Sequence, residues 1–119
     1  MGDRGQIKIG GVYLYTHWGG SSLKGILQTA LKKKWRWNDE EYLARIIFEC
    51  MIEEERGTET GYGIGIAMHE DINNPLLEVD VKNQKVIEGK TVWDYGDEMK
   101  EMKKSKEWSF EDFTKHKFG

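Results

Sequence analysis

The sequence predicts an α+β fold, in which a small, mostly antiparallel sheet carries two packed helices from the N-terminal half and a short C-terminal helix. Two observations lead to this prediction. Apolar residues alternate with a period of two over 12–16 and 61–68, and they recur at helical spacing over 22–35 and again from residue 38 onwards. Because one strand precedes two helices and further strands follow, we expect both long helices to cover one face of a single sheet.

The chain begins with a polar, glycine-containing stretch, residues 1–5, that we expect to fray. Residues 6–9 and 12–16 are strand-like and are separated by Gly10 and Gly11. This pattern fits either a tight hairpin on a Gly-Gly turn or one long strand with a glycine bulge. We favour the hairpin.

Two amphipathic helices come next. The first is predicted over 22–35, with an apolar stripe formed by Leu23, Ile26, Leu27, Ala30, Leu31 and Trp35. The second is predicted to begin at Asn38, because Asn38 and Glu41 occupy capping-box positions. We expect this central helix to be buried on two sides, since its apolar residues are Tyr42, Leu43, Ile46, Ile47, Phe48, Cys50, Met51 and Ile52.

Residues 61–68 alternate glycine or alanine with larger apolar side chains. One face of this predicted strand is therefore almost free of side chains, although glycine by itself weakens a strand. We expect either a packed helix or a bound ligand to approach that face, and the helix is the simpler explanation. If this strand pairs with 12–16, the glycine face lies near His17.

The C-terminal half is predicted to contain strands at 76–81 and 85–88, joined by a short turn, with a further short strand at 91–93. Residues 97–105 are predicted to be helical, within a charged and loosely packed region at 94–107.

The last helix has the clearest start signal. Ser109 and Asp112 form a capping pair, and Trp108 and Phe113 are spaced for a hydrophobic staple across that cap.

Composition limits the classes of protein and partner. A chain of 119 residues, 38% of them hydrophobic, fits one domain over 1–119. The net charge of −3, with both signs spread along the chain, does not favour nucleic acid or an anionic membrane as partner. The basic run at 32–36 contains a tryptophan, and we interpret it as the solvated C-terminal end of the first helix.

The single cysteine, Cys50, excludes an internal disulfide, and no segment has the apolar length of a signal peptide core or a membrane span. We therefore expect a cytoplasmic protein. The 33% content of charged residues is typical of thermophilic sources, whereas the single proline points the other way.

The best candidate site lies where the strand at 12–16 meets the first helix. The strand brings Tyr15 and His17 to one face, Trp18 follows, and Gly19 and Gly20 allow a sharp turn. A helix N-terminus with free backbone N–H groups suits an anion, and Ser21 or Ser22 is placed to cap it. A strand-to-helix junction also needs such glycines for its geometry alone.

The other residues with reactive or charged side chains are weaker candidates for a functional site. Arg45 lies within an apolar helix, so it needs a carboxylate partner or a ligand phosphate, and a structural ion pair is the simpler reading. The segment His69-Glu70-Asp71 does not form a metal-site spacing with His17, so we predict neither a metal nor a cofactor. Cys50 is expected in the core.

Several segments together resemble a family of small uncharacterised proteins found in phages, prophages and some archaea. They are Tyr15 to Gly20, Arg36 to Asp39, Tyr42 to Phe48, Thr60 to Ile64, Val79 to Val81 and Trp108 to Phe113. The resemblance covers most of the chain in co-linear order and depends on the combination of motifs. It implies no established activity or catalytic residue, and it favours a phage-type accessory protein that contacts a host protein or a small ligand.

Three functional hypotheses follow. The first, which we favour, is a non-enzymatic binding module for a small anionic ligand or a partner protein at the turn that follows His17. The second is a small hydrolase or transferase that uses His17, with His69 or Glu70 as second group. The third is a structural protein whose tryptophans form a homo-oligomer interface. No nucleophile with its base is recognisable, so the enzyme ranks below the binding module.

Overall fold

The fold is one six-stranded sheet with the helices packed on one of its faces. The computed structural model describes residues 2–53, 55–69, 72–93 and 100–118, of which 91–93 and 100–102 are described by backbone only. The strands are β1 (Gly5–Ile9), β2 (Val12–Thr16), β3 (Tyr62–Gly65), β4 (Leu76–Asp80), β5 (Lys85–Trp93) and β6 (Lys100–Ser109). The helices are α1 (Leu23–Lys32), α2 (Glu40–Ile52) and α3 (Phe110–Lys115), and a 3-10 turn at Gly20–Ser22 precedes α1.

The strand order is β3-β2-β1-β4-β5-β6, and every neighbouring pair is antiparallel except β1 and β4. This arrangement confirms the predicted α+β class. The two-residue connection between β1 and β2 forms the predicted hairpin, with Ile9 opposite Val12 and Gly10 at a φ of 60°. Glycine suits this turn because L side chains rarely adopt positive φ.

The core lies between the sheet and the helices. It includes Ile7, Ile9, Leu14, Leu77, Val79 and Val86 from the sheet, Leu23, Leu27, Ala30, Leu31, Leu43, Ile46, Ile47 and Met51 from α1 and α2, and Phe110 and Phe113 from α3. The predicted stripes of both long helices thus face the sheet. Among the predicted members, Trp35 and Tyr42 lie at the surface, and Ile26, Phe48, Cys50 and Ile52 are only partly buried against the core.

Helix boundaries differ from the prediction by short distances. Helix α1 ends at Lys32, three residues before the predicted end, so Trp35 leaves the apolar stripe. Helix α2 is capped by Asp39, whose carboxylate accepts a hydrogen bond from the backbone N–H of Tyr42 at 3.3 Å. The capping residue is therefore one position later than the predicted Asn38.

The prediction of a helix at 97–105 is wrong for residues 100–105, which belong to strand β6; residues 97–99 lie outside the described residues. Strand β6 pairs with β5 along its whole length. Pairing with β5 satisfies the backbone groups of β6 that face this neighbour, and an edge position tolerates exposed charged side chains on a strand. The predicted start of α3 is confirmed, with the Ser109 hydroxyl accepting from the Asp112 N–H at 3.1 Å.

The N-terminal segment is attached to the fold, in contrast to the predicted fraying of residues 1–5; Met1 lies outside the described residues. Gly5 begins β1, the Asp3 N–H donates to the His17 carbonyl at 2.8 Å, and the Gly20 N–H donates to the Asp3 carbonyl at 2.7 Å. The Arg4 N–H donates to Asn73 Oδ1 at 2.7 Å. No helix in the described part of the chain is long and apolar enough to cross a membrane.

Candidate functional site

Three of the predicted site residues lie together at the end of β2. The Tyr15 hydroxyl is 3.1 Å from His17 Nδ1, and Arg4 Nε–H donates to the same nitrogen at 3.4 Å. The rings of His17 and Trp18 meet edge to face with centroids 4.3 Å apart. Trp18 remains 59% exposed. The strand end therefore presents a half-buried histidine beneath an exposed indole.

His69 also contacts Tyr15, through its ring. The rings of Tyr15 and His69 stack at a centroid distance of 4.3 Å and an angle of 23°. Buried Gln6 fixes this loop, because its side chain donates to the Ala67 carbonyl at 3.4 Å and accepts from the His69 N–H at 3.0 Å.

Tyr15 contacts both histidines that the enzyme hypothesis would combine, His17 through its hydroxyl and His69 through its ring, and Glu70 lies outside the described residues. Across the residues that the structure describes, no group of three or more His, Cys, Asp or Glu side chains is arranged to hold a metal ion.

The turn at Gly19, Gly20 and Ser21 binds an anion, and that anion belongs to the chain itself. The carboxylate of Asp3 accepts from the Ser21 backbone N–H at 3.0 Å and from the Ser21 hydroxyl at 2.5 Å. Asn74 Nδ2 donates to it at 2.8 Å. These hydrogen bonds, that of the Ser21 hydroxyl first, lower the pKa of Asp3. An external anion would have to displace Asp3.

The serines do not cap α1 as predicted. Gly19 precedes the 3-10 turn and has no side chain to cap it, and Ser22 occupies the capping position of α1 without a side-chain hydrogen bond. The Ser21 hydroxyl donates to Asp3. The glycine at position 20 serves close packing: a Cβ there would lie 2.7 Å from the Asp3 carbonyl oxygen and would also meet Asn74 Nδ2. Gly19 donates its N–H to Thr16 Oγ1 at 3.0 Å.

Arg45 belongs to a different surface. Its guanidinium pairs with Glu49 one turn further along α2, with Nη1 and Oε1 2.7 Å apart, and both side chains are more than half exposed. This confirms a carboxylate partner, although at the surface and not in the interior. Arg45 lines an open cleft of about 400 Å³ with Trp35, Arg36, Tyr42 and Ile46.

A charged pair that was not predicted from the sequence lies beside the predicted turn. Lys24 Nζ lies 2.5 Å from Glu88 Oε2, and the Glu88 side chain is only 5% exposed. Both residues line a cleft of about 490 Å³ with Gly20, Ser21 and Asn74, among other residues. Glu88 lies two residues after buried Val86 and therefore on the same face of β5, so a charge on the buried face of the predicted strand at 85–88 was the available signal.

The glycine face of β3 does not carry a packed helix, which corrects the prediction. Gly63 and Gly65 lie opposite Tyr15 and Tyr13, on the sheet face away from the helices, and no heavy atom of the described residues lies within 4 Å of the Cβ position at either glycine. The strands at 12–16 and 62–65 are neighbours, as expected. Strand β3 lies at one edge of the sheet, and β2 is its one neighbouring strand among the described residues.

Five large apolar side chains in the described part of the chain are at least half exposed, and they form two groups. Trp18, Ile64 and Ile66 lie along the β3 edge, whereas Trp35 and Tyr42 lie at the cleft beside Arg45. Comparisons with protein-family models, with curated proteins and with solved structures give no significant match to this chain.

Proposed function

We propose that this chain is a non-enzymatic binding module that takes an extended segment of a partner protein as an added strand along the β3 edge. The observation that carries the proposal is the exposure of Ile64, 61%, on an edge strand, and of Ile66, 86%, directly after the end of that strand. Exposed apolar edges are the templates on which strand addition occurs.

The backbone of β3 has the geometry that strand addition needs. In an antiparallel pair, alternate residues exchange hydrogen bonds with the partner strand and the residues between them point away. The His17 N–H donates to the Gly61 carbonyl at 2.9 Å, so Gly63 and Gly65 also face β2 in this register. The N–H and C=O of Ile64 therefore point to the free edge.

The β3 edge lacks the charges that usually protect such strands. No charged residue occurs from Gly61 to Met68, whereas the opposite edge strand, β6, contains Lys103, Lys104 and Lys106. Lysine on an edge strand opposes pairing with another chain. Trp18 Cδ1 lies 3.9 Å from the Cβ position of Gly61, so an exposed aromatic anchor adjoins the start of this edge.

The contacts favour a protein partner over a small anionic ligand. The place for an anion at the turn is taken by Asp3, so anion binding would break its bonds to Ser21 and Asn74. An enzyme is less well supported, because the hydroxyl of Ser21 donates to a carboxylate and not to a histidine base, and His17 and His69 each contact Tyr15. A host protein as partner suits the phage-accessory role that the sequence resemblance suggests.

A peptide selection tests this proposal. Random peptides displayed on a library are selected on the wild-type protein and then measured against Ile64→Pro and Ile64→Val. Proline removes the outward N–H and leaves the bonds to β2 in place, whereas valine keeps the N–H and the strand propensity. We expect selected peptides to alternate apolar and polar residues and to lose about tenfold in affinity for Ile64→Pro only, the equivalent of one unmade hydrogen bond.

Two results would contradict the proposal. One is the selection of peptides that bind wild type and Ile64→Pro equally, provided that circular dichroism shows the variant folded. The other is a wild-type dimer that Ile64→Pro dissociates in sedimentation, because the natural occupant of the edge would then be a second copy of the chain.

A further inference from the structure

We propose that a second surface binds single-stranded nucleic acid. This basic aromatic surface consists of Lys33, Trp35, Arg36, Tyr42 and Arg45, the last four of which line the open cleft of about 400 Å³ at the start of α2. It is separate from the β3 edge and uses the other group of exposed apolar side chains.

The loop between α1 and α2 is built to hold one tryptophan inside and one outside. Trp37 Nε1–H donates to the Leu31 carbonyl at 3.1 Å, and its ring meets Phe110 edge to face at 5.4 Å. Trp35, two residues earlier, is 58% exposed. An indole held in water while its neighbour anchors the loop is available for a partner.

The backbone on either side of Trp35 adopts the left-handed conformation without glycine. Lys34 has a φ of 58° and Arg36 a φ of 56°. This conformation costs about 1 kcal/mol or more for residues with a Cβ. The loop therefore keeps two long cationic side chains at positions where glycine would be less strained.

Cations already lie over the exposed rings. Lys33 Nζ is 4.9 Å from the centroid of Trp35, and Arg36 Cζ is 4.7 Å from the centroid of Tyr42. A nucleotide base has a flat face that stacks on an indole or on a guanidinium, and its phosphate pairs with the same cations. The Asp and Glu side chains of an acidic peptide would supply the negative charge but no aromatic ring to stack on Trp35.

The local charge supports contact with a few phosphates. Lys32, Lys33, Lys34 and Arg36 lie within five residues. Lys34 pairs with Glu111 at 3.2 Å, an exposed ion pair of the kind that contributes little and can exchange its partner.

The acidic residues at the start of α2 partly balance these cations. The Asp39 carboxylate is occupied by its capping bond to Tyr42, and the Glu40 carboxylate lies against Gly10, in the β1–β2 turn. Glu41 and Glu49 lie on the same side of α2 as Arg45. Their negative charges would repel phosphates, so we expect the surface to bind only a short segment of nucleic acid.

Composition alone does not favour nucleic acid as a partner. The structure gives the basic run at 32–36 a different interpretation. From the sequence, 32–36 is expected at the end of a helix, where the macrodipole explains basic residues. In the structure α1 ends at Lys32, so 33–36 lie beyond the helix, and Trp35 and Arg36 line the cleft.

Fluorescence anisotropy with a labelled, mixed-sequence single strand of about ten nucleotides tests this proposal at low salt, about 50 mM. We expect Trp35→Ala to weaken binding at least about fivefold, the loss of one stacked base. Trp18→Ala is the matched control, since Trp18 is exposed to the same extent, and it should bind as wild type does. Arg36→Asn tolerates the left-handed backbone and should reduce the salt slope by about one.

The proposal is overturned if the wild-type protein does not bind the strand at low salt, or if Trp18→Ala weakens binding as much as Trp35→Ala does. It is also overturned if polyglutamate competes as well as unlabelled oligonucleotide, because the surface would then recognise acidic protein. Both tryptophan positions are exposed, so circular dichroism should show folded variants. Trp18 adjoins the β3 edge, so the Trp18→Ala control shows whether the oligonucleotide binds there instead.

Discussion

The carboxylate of Asp3 accepts hydrogen bonds from both the backbone N–H and the hydroxyl of Ser21, at 3.0 and 2.5 Å. These bonds join the N-terminal segment to the turn that precedes α1. The turn was the predicted place for a bound anion, and the chain fills it with its own carboxylate.

This contact predicts how stability changes in acid. The pKa of Asp3 is lowered in the folded state, chiefly by the Ser21 hydroxyl, relative to an unfolded value of about 3.9. The charged Asp3 carboxylate therefore contributes to the free energy of unfolding above about pH 4, and this contribution is lost as the pH falls through the folded pKa. We expect Asp3→Asn to lower Tm near pH 7 and the Tm difference from wild type to shrink below about pH 4. A difference that does not change with pH would contradict this role of the charge.

Two glycines should respond in opposite ways to a larger side chain. Gly20→Ala would press a methyl group against the Asp3 carbonyl and the Asn74 amide, and we expect a loss of about 1–3 kcal/mol in the free energy of unfolding. Gly65→Val meets no atom within 4 Å and gains strand propensity, so we expect stability to stay equal or to rise by up to about 1 kcal/mol. Urea denaturation of both variants checks this, and a strongly destabilised Gly65→Val would show that a protein segment covers that face.

Removing only Lys24 from its ion pair with Glu88 should destabilise the protein more than removing both partners. The Glu88 side chain is 5% exposed and that of Lys24 is 32% exposed, so removing the lysine leaves a buried carboxylate without its partner. We expect Lys24→Ala to cost about 2 kcal/mol or more at neutral pH. The double variant Lys24→Ala, Glu88→Leu should recover most of that loss, because it also removes the buried charge. Equal denaturation midpoints for the single and double variants would argue against this explanation.

The end of α1 offers a stabilising substitution. Lys34 holds a φ of 58°, and its N–H donates to the Leu31 carbonyl at 3.0 Å in the position where helices usually have glycine. We expect Lys34→Gly to raise the free energy of unfolding by about 0.5 to 1 kcal/mol. Lys33→Gly is the control, since Lys33 has helical dihedrals and glycine there should destabilise. A loss of stability in Lys34→Gly would mean that the ion pair with Glu111 outweighs the relief of backbone strain.

Local sequence signals predicted the elements that depend on neighbours in the chain. The Gly10-Gly11 hairpin, the apolar stripes of α1 and α2 and the Ser109 cap of α3 all involve residues separated by a few positions, and the structure contains each of them. The error at 100–105 arose because a charged segment has no apolar periodicity to separate strand from helix. There, pairing with β5 decided the conformation.

By itself, the sequence determined the α+β class, the strand that leads to His17 and the glycine turn after it. Only the tertiary structure decided that Asp3 fills that turn, that Lys24 pairs with Glu88 and that Arg45 lies on another surface. It also decided that β3 is an edge and that Trp35 faces water while Trp37 does not. Periodicity and caps follow from chemistry within one or two turns of chain, whereas these features join residues far apart in sequence, whose positions depend on how the elements pack.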